Sequence, residues 1–505
     1  MSRTARIARA LTIGYGYQAV VAATGLLLTP FLLSRLGVVD VGRWLVAGQV
    51  LGLIGLLDLG VTALLPREVA RATGSGGGEP VAEVVRRAFW LVWLQTPFVA
   101  LVGVAVWIGV SEANPDLGGP LAVVLAAFVI QFPLRLSGAI LTGLQDLTFC
   151  AATTAAGWAI STAMSVGMVL AGWGLYSLAV GWATGQLLVC GTYWIRLRYR
   201  FRTACGFAWP GRGGLWVQLR ASLWISLAQL AQLLVAGTDL LVIAWLIDPA
   251  TAVVYSCTTK LASLLSNQCY AIGLTAQPAL AQLRAGGDAV QFRSASRATG
   301  LALMMVSGAV AIGVTAVNGA FVAAWVGANQ YAGPGVSALA VAAMLSRHLG
   351  FVWWNSAYVL GAERGIAFAR IADGLITVAA TALGAVSFGL IGAAMGSLAG
   401  AAIGFLPTGL KALADKLQIS KWEIFGWVAG WIIRFHLAYV PVVIFSFTPL
   451  VRSPWYSGAC ALIGLALYGG LMYGIAATSP LRQYRDRVIA PIRNRFGRLA
   501  KRGCA

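Results

Sequence analysis

Eight ionisable side chains interrupt segments that are otherwise apolar: Asp58, Arg135, Asp239, Lys260, Arg347, Arg370, Asp373 and Arg434, with His348 and His436 alongside. Inside a bilayer such groups cost roughly 2.5–3.5 kcal/mol each on insertion scales, so they are functional candidates by default. Two chemistries suit them. Guanidinium stays charged and grips phosphate oxygens two at a time. The balance of these residues is positive, which makes Arg347, Arg434, Lys260 and Arg135 candidates to hold an anionic diphosphate in a cationic lumen. A carboxylate buried away from cations can take up a proton, and Asp58 and Asp239 are the candidates for ion coupling.

A structural role stands beside each of these. The cations can snorkel or pair locally. Asp239 and Lys260 fall at similar depth on neighbouring antiparallel segments, where an ion pair would either hold two helices together or take part in a transport cycle. Arg370 and Asp373 lie three residues apart and can pair on one helix face. Asp58 can hydrogen-bond a helix end. Arg35 and Arg43 flank the first external turn, as outer-gate residues or as solvated loop charges. Trp353, Trp354 and Trp431 are aromatic platforms for sugars, although most Trp in such chains serves interfacial belts and packing.

Other chemistries find no support. The two histidines are far apart and nothing has metal-ligand spacing, so no metal or cofactor is expected. No external loop holds two of the seven cysteines, which argues against disulfides. The string Gly76–Gly78 lacks the Lys-Ser/Thr of a phosphate cradle and reads as a flexible linker. A membrane glycosyltransferase or polymerase would need external His, Asp or Glu grouped for acid–base work. The external connections are only of order ten residues, so the chain is not expected to be an enzyme.

The elements that position these residues follow from composition. Of 505 residues, 59% are hydrophobic and 10% charged, against about a quarter charged in soluble domains. The fold class is therefore all-α, a polytopic membrane protein with about fourteen transmembrane helices. The spans read as 11–33, 43–65, 89–110, 121–142, 151–173, 175–196, 221–247, 251–273, 299–323, 334–360, 366–390, 391–413, 424–447 and 455–477. The first is too long for a signal-peptide core and reads as retained. The net charge of +20 sits in clusters between spans: Arg3, Arg6 and Arg9, then Arg196 to Arg202, then Arg482 to Arg502. That distribution keeps the basic loops and both termini cytoplasmic, facing anionic lipid head groups. It does not suggest nucleic acid.

The chain also repeats itself. Residues 29–44 and 239–255 correspond, as do Pro66–Arg71 and Pro278–Leu283, at an offset of about 210 residues. Two pseudo-symmetric six-helix lobes, 1–200 and 201–415, would be followed by two more helices (416–480) and a basic cytoplasmic tail (481–505). Same-direction repeats are recurrent among transporters and favour two lobes around a central cavity.

The stretch from Pro30 to Arg71 carries a family resemblance. Leu33-Ser34-Arg35-Leu36-Gly37, Val41-Gly42-Arg43-Trp44, Leu56-Leu57-Asp58-Leu59-Gly60 and Arg67-Glu68-Val69-Ala70 resemble the opening of Wzx-type polysaccharide flippases, with an echo at Leu360–Arg364. These belong to the multidrug/oligosaccharidyl-lipid/polysaccharide exporter superfamily. The resemblance implies translocation of undecaprenyl-diphosphate-linked glycan across a bacterial inner membrane by alternating access, commonly ion-coupled, for O-antigen (lipopolysaccharide), capsule or exopolysaccharide. It is compatible with a monomer working beside polysaccharide assembly proteins. The alternatives in the superfamily are a peptidoglycan-precursor flippase and a multidrug exporter, the latter disfavoured by the cationic interior.

Overall fold

The computed structural model describes residues 3–74, 80–202, 209–477 and 481. The glycine linker at 76–78, part of the basic connection after Arg202, and the tail from Arg482 onward lie outside the described residues. Those that are described form helices joined by short connections and no strands, as an all-α membrane chain must when lipid leaves no partner for open backbone groups.

Two compact units divide the chain, Met1–Ala244 and Trp245–Ala505. The first contains α1 (Arg3–Leu36), α2 (Val38–Gly55), α3 (Val61–Gly74), α4 (Val81–Ala113), α5 (Pro115–Leu134), α6 (Leu136–Gly143), α7 (Leu147–Leu170), α8 (Tyr176–Arg200) and α9 (Gly211–Ala236). The short α10 (Thr238–Leu246) crosses the division. The second contains α11 (Pro249–Ala285), α12 (Ala289–Val326), α13 (Pro334–Val359), α14 (Glu363–Ala399), α15 (Leu406–Leu417), α16 (Lys421–Ser446) and α17 (Pro454–Ala477). Helix α9 packs on α3 and α4 inside the first unit. In the second unit α16 and α17 both pack on α12.

Nine helices among the described residues are long and apolar enough to cross a membrane, and the bent pair α9–α10 would be a tenth. The difference from fourteen has physical causes. The stretch Arg364–Leu417 folds back on itself at Gly389, whose φ of 59° and ψ of −139° interrupt the helix, so one apolar stretch contains two passes. Helix α11 carries Lys260, Asn267, Gln268 and Gln277 along a helix of 37 residues and is too polar to qualify. In α1 only Val20–Leu36 counts as an apolar helix.

The internal repeat is visible in the helices. The run from α2 to α3 covers Val38–Gly74 and α11 covers Pro249–Ala285, both ends shifted equally. Pro66 and Pro278 fall inside these helices in like positions. The fourth helices of the two copies close with the same hydrogen bonds, Asp146 N to Leu141 O and Ala362 N to Ala357 O, both 3.0 Å. The left-handed residues Gln145 and Gly361 sit at these two ends.

Close packing in both copies relies on small residues, because lipid offers no hydrophobic drive for helix association. In the second unit Gly396, Gly400 and Gly404 lie against Thr381, Thr377 and Asp373 across the hairpin, and a side chain at any of the three would strike those residues. In the first unit Gly181 and Gly185 lie in the same way against Ser165 and Ser161 of α7. Each unit has its own core, with Phe132, Leu136, Ile140 and Leu197 buried in one and Trp353, Phe405 and Phe435 in the other.

Candidate functional site

Among the described residues, each unit contains an arginine–aspartate pair whose aspartate is buried, Asp58 and Asp373, and each pair sits where a helix is irregular. In the first unit the second helix of the repeat breaks at Leu56–Asp58, a short 3-10 turn closed by Leu59 at φ 51° and Gly60 at φ 75°. Gly60 is required there, since a Cβ would lie 2.6 Å from Ser222 O of α9. The Asp58 carboxylate fills the gap. It accepts hydrogen bonds from Gly60 N (2.9 Å) and Thr62 N (3.2 Å), so it caps α3, an arrangement worth about 1 kcal/mol. Its Oδ2 also lies 3.0 Å from Nη2 of Arg135. That guanidinium donates to Gly55 O at 3.2 Å and stands over the Phe132 ring.

In the second unit the pair moves to the hairpin. Arg347 of α13 reaches the hairpin side chains with Nε 3.4 Å from Asp373 Oδ2 and Nη2 3.2 Å from Oδ1. It also donates to Ser397 Oγ and Ser397 O, each at 3.0 Å, and to Thr377 Oγ1 at 3.2 Å. Asp373 is fully buried and the Arg347 side chain is 12% exposed. Beside them the hairpin winds into a π-turn, Gly400–Phe405, a distortion frequent at functional positions. Asp373 therefore gives its carboxylate to Arg347, while the nearby Arg370, its expected partner, stacks on the Phe405 ring, 3.9 Å from the centroid. A polar column continues on α11, where Ser266 hydrogen-bonds His348 Nε2 at 2.8 Å and Gln277 Nε2 donates to Asn355 Oδ1 at 2.5 Å.

The other expected site residues are placed as follows. Lys260 in α11 and Arg434 in α16 are half-buried, and neither makes an ion pair among the described residues. Asp239 is half-buried in the first turn of α10, after a 50° bend at Gly237, which is packed against Gln49. Arg35 is exposed. Arg43 bridges Asp40 (3.0 Å) and Asp116 (3.3 Å) and so ties α2 to the start of α5. Trp353, Trp354 and Trp431 are buried core residues, and Trp431 stacks on Phe435 and donates to Tyr468. None of the three offers an open face to a sugar.

Residues 79–333 match the model of a family described as polysaccharide biosynthesis protein. The chain belongs to the polysaccharide biosynthesis protein family. No curated protein matches the sequence. Solved structures similar to this family member are transporters. An inward-facing multidrug resistance MATE family transporter of the MOP superfamily matches at TM-score 0.65 and 14% identity, covering 76% of this chain and 93% of that one. The lipid II flippase MurJ, in an inward closed conformation, matches at 0.52 and 12%, covering 86% and 97%. The Vibrio cholerae MATE transporter VcmN in its bent form matches at 0.52 and 13%, covering 83% and 99%. At these identities the likeness establishes the fold, that of MOP-superfamily transporters.

For this polysaccharide biosynthesis protein, the sequence reading missed which charges neutralise one another. One signal was available. Gly392, Gly396, Gly400 and Gly404 recur every four residues, the mark of a helix face in close contact, and Asp373, Thr377 and Thr381 recur at the same spacing opposite them. An aspartate in such a seam needs a cation from a third helix.

Proposed function

We propose that this protein is a flippase that carries undecaprenyl-diphosphate-linked oligosaccharide from the cytoplasmic to the outer leaflet of a bacterial inner membrane, by alternating access. Membership of a polysaccharide biosynthesis family with a transporter fold supports the cargo class. The observation that carries the reading at residue level is that the half-buried cations Lys260 and Arg434 make no ion pair among the described residues. Arg135 and Arg347 are already paired with Asp58 and Asp373, so Lys260 and Arg434 are left to meet an incoming diphosphate. In this proposal Arg135 and Arg347 act as positioning residues, and Arg35 and Arg43 edge the outer gate. Coupling to an ion gradient runs through Asp239, because Asp58, the other candidate, stands against the Arg135 guanidinium and caps α3. The protein works as a monomer with both termini in the cytoplasm, and supplies O-antigen, capsule or exopolysaccharide assembly.

The fold match to a lipid II flippase favours one second reading, transport of the peptidoglycan precursor. Three fluorescent cargoes in proteoliposomes separate the candidates: an undecaprenyl-diphosphate oligosaccharide, the same lipid bearing a pentapeptide-substituted sugar, and a cationic dye. The proposal expects transport of the first alone. Transport of the second alone establishes the precursor reading, and dye export with no lipid flipping removes both. Asp239→Asn should abolish the response to an imposed pH gradient if that residue couples protons; an unchanged response removes that role.

A further inference from the structure

The second unit contains a cavity of about 410 Å³ at the end where α12 gives way to α13 and α16 to α17. Gly319 forms part of its lining, Tyr331 and Phe447 supply rings, and Pro449, Val451 and Arg452 come from the turn before α17. The size lies within the range of small-ligand pockets, about 300–1,000 Å³.

Its shape is fixed in advance. The loop entering α13 turns at Gly327 and Gly333, with φ of 97° and 99°. A buried network then holds it: Ala332 N donates to Thr258 Oγ1 at 2.8 Å, Asn318 donates to Thr258 O at 2.8 Å, and Asn318 also reaches Ser337 Oγ. Gly319 keeps the space open, because a side chain there would meet Val451 at 3.4 Å and Tyr331 at 3.5 Å. Among its described residues, the first unit is built differently at the corresponding end. Its α4 and α5 are joined at Asn114, the corresponding end is closed by Trp107 donating to Gly118 O at 2.9 Å, and no pair equivalent to α16 and α17 follows.

The lining chemistry is selective. Ser446 and Thr448 donate their hydroxyl hydrogens to Val443 O and Phe445 O, at 2.7 Å each. With those hydrogens committed, the two lining hydroxyls can act toward a ligand as acceptors, suited to O–H donors. Tyr331 and Phe447 offer ring surface for the C–H face of a pyranose. Arg452 is the one ionisable cation lining the cavity, is exposed, and makes no ion pair among the described residues. Hydroxyl acceptors, aromatic faces and one guanidinium together describe a sugar that carries a carboxylate.

We propose that this cavity binds an anionic pyranose, of the uronic acid type, within the translocated glycan. The inference deepens the flippase reading and rests on it for its biological meaning, whereas its test does not require transport. Saturation-transfer NMR on the purified full-length protein would compare glucuronate, glucose and glycerol 3-phosphate, the last standing for a phospholipid head group. Glucuronate should bind in the roughly millimolar range, more tightly than glucose. Arg452→Gln should weaken glucuronate about tenfold with glucose unaffected, and Gly319→Leu should remove both signals. Should Gly319→Leu fail to fold, the exposed Arg452→Gln still decides the matter. Glucuronate binding untouched by Arg452→Gln, or a preference for glycerol 3-phosphate, would overturn the proposal. A protein that binds glucuronate here but flips no lipid-linked glycan would defeat the flippase reading and leave the site standing.

Discussion

The two units place their buried ion pairs at different joints of the same repeated architecture. Matching the helix ends aligns Arg347 with Gln131 and Asp373 with Gly157, so the first unit has an amide and a hydrogen where the second has an ion pair. The exchange is reciprocal across the hairpin. Val189 packs over Gly157 in the first unit, whereas Gly404 stands opposite Asp373 in the second. The Asp58–Arg135 pair aligns in turn with Cys269 and Phe351, and there Phe351 packs against Gly273 and, edge-on, against Tyr270. A broken helix receives a charge pair; its unbroken copy receives an aromatic contact. The lesson is that these pairs are local solutions to irregular backbone, and that a net positive interior does not make every intramembrane arginine a ligand.

The largest expected effect breaks the second unit's pair. Asp373→Ala strands Arg347 in a buried site and should cost about 3–5 kcal/mol, read as a drop in thermal unfolding in detergent. The double variant Arg347→Met/Asp373→Leu should recover most of that loss. If the single variant is as stable as wild type, the pair does not hold α13 to the hairpin. Gly404→Val should be comparably damaging, because its Cβ would lie 2.8 Å from Asp373 N and 2.9 Å from Asp373 Cα, where backbone cannot yield.

Asp58→Ala should cost less, about 2 kcal/mol, combining a lost helix cap of about 1 kcal/mol with an arginine that is 22% exposed and better able to reach water. Asp58→Asn, which keeps one acceptor for the cap, should recover about half. Smaller still is Arg43→Ala, whose partner Asp116 is 77% exposed; such pairs are worth about 0–1 kcal/mol. A transplant sharpens the comparison further. Gly157→Asp alone should destabilise the first unit, since Val189 occupies the space, and adding Val189→Gly and Gln131→Arg should restore it.

Much of this was readable from residue types alone. Apolar runs, basic clusters and the offset of Pro66 and Pro278 disclose an all-α membrane chain with a repeat, because these signals are local. The break at Asp58 was signalled by its Leu-Asp-Leu-Gly setting, in which Gly60 is the residue able to adopt a positive φ beside Ser222. What stayed hidden was pairing. Asp58 meets Arg135, and Asp373 takes Arg347 over its sequence neighbour Arg370, through helix contacts that no local spacing encodes. The turn at Gly389, by contrast, falls where the reading of two spans, 366–390 and 391–413, placed it.

The central claim is that the cations without internal partners carry the cargo. Its most direct test is the flipping rate of a fluorescent undecaprenyl-diphosphate oligosaccharide in proteoliposomes, for wild type, Lys260→Ala, Arg434→Ala and the charge-free pair variant Arg347→Met/Asp373→Leu. Lys260→Ala and Arg434→Ala should each lose at least about tenfold, on the order of the 1.5–3 kcal/mol of a hydrogen bond to a charged group, with unfolding temperatures unchanged. The pair variant should flip at a rate closer to wild type. Full-rate flipping by both single variants, with loss confined to the pair variant, would contradict the account and assign the diphosphate to Arg347.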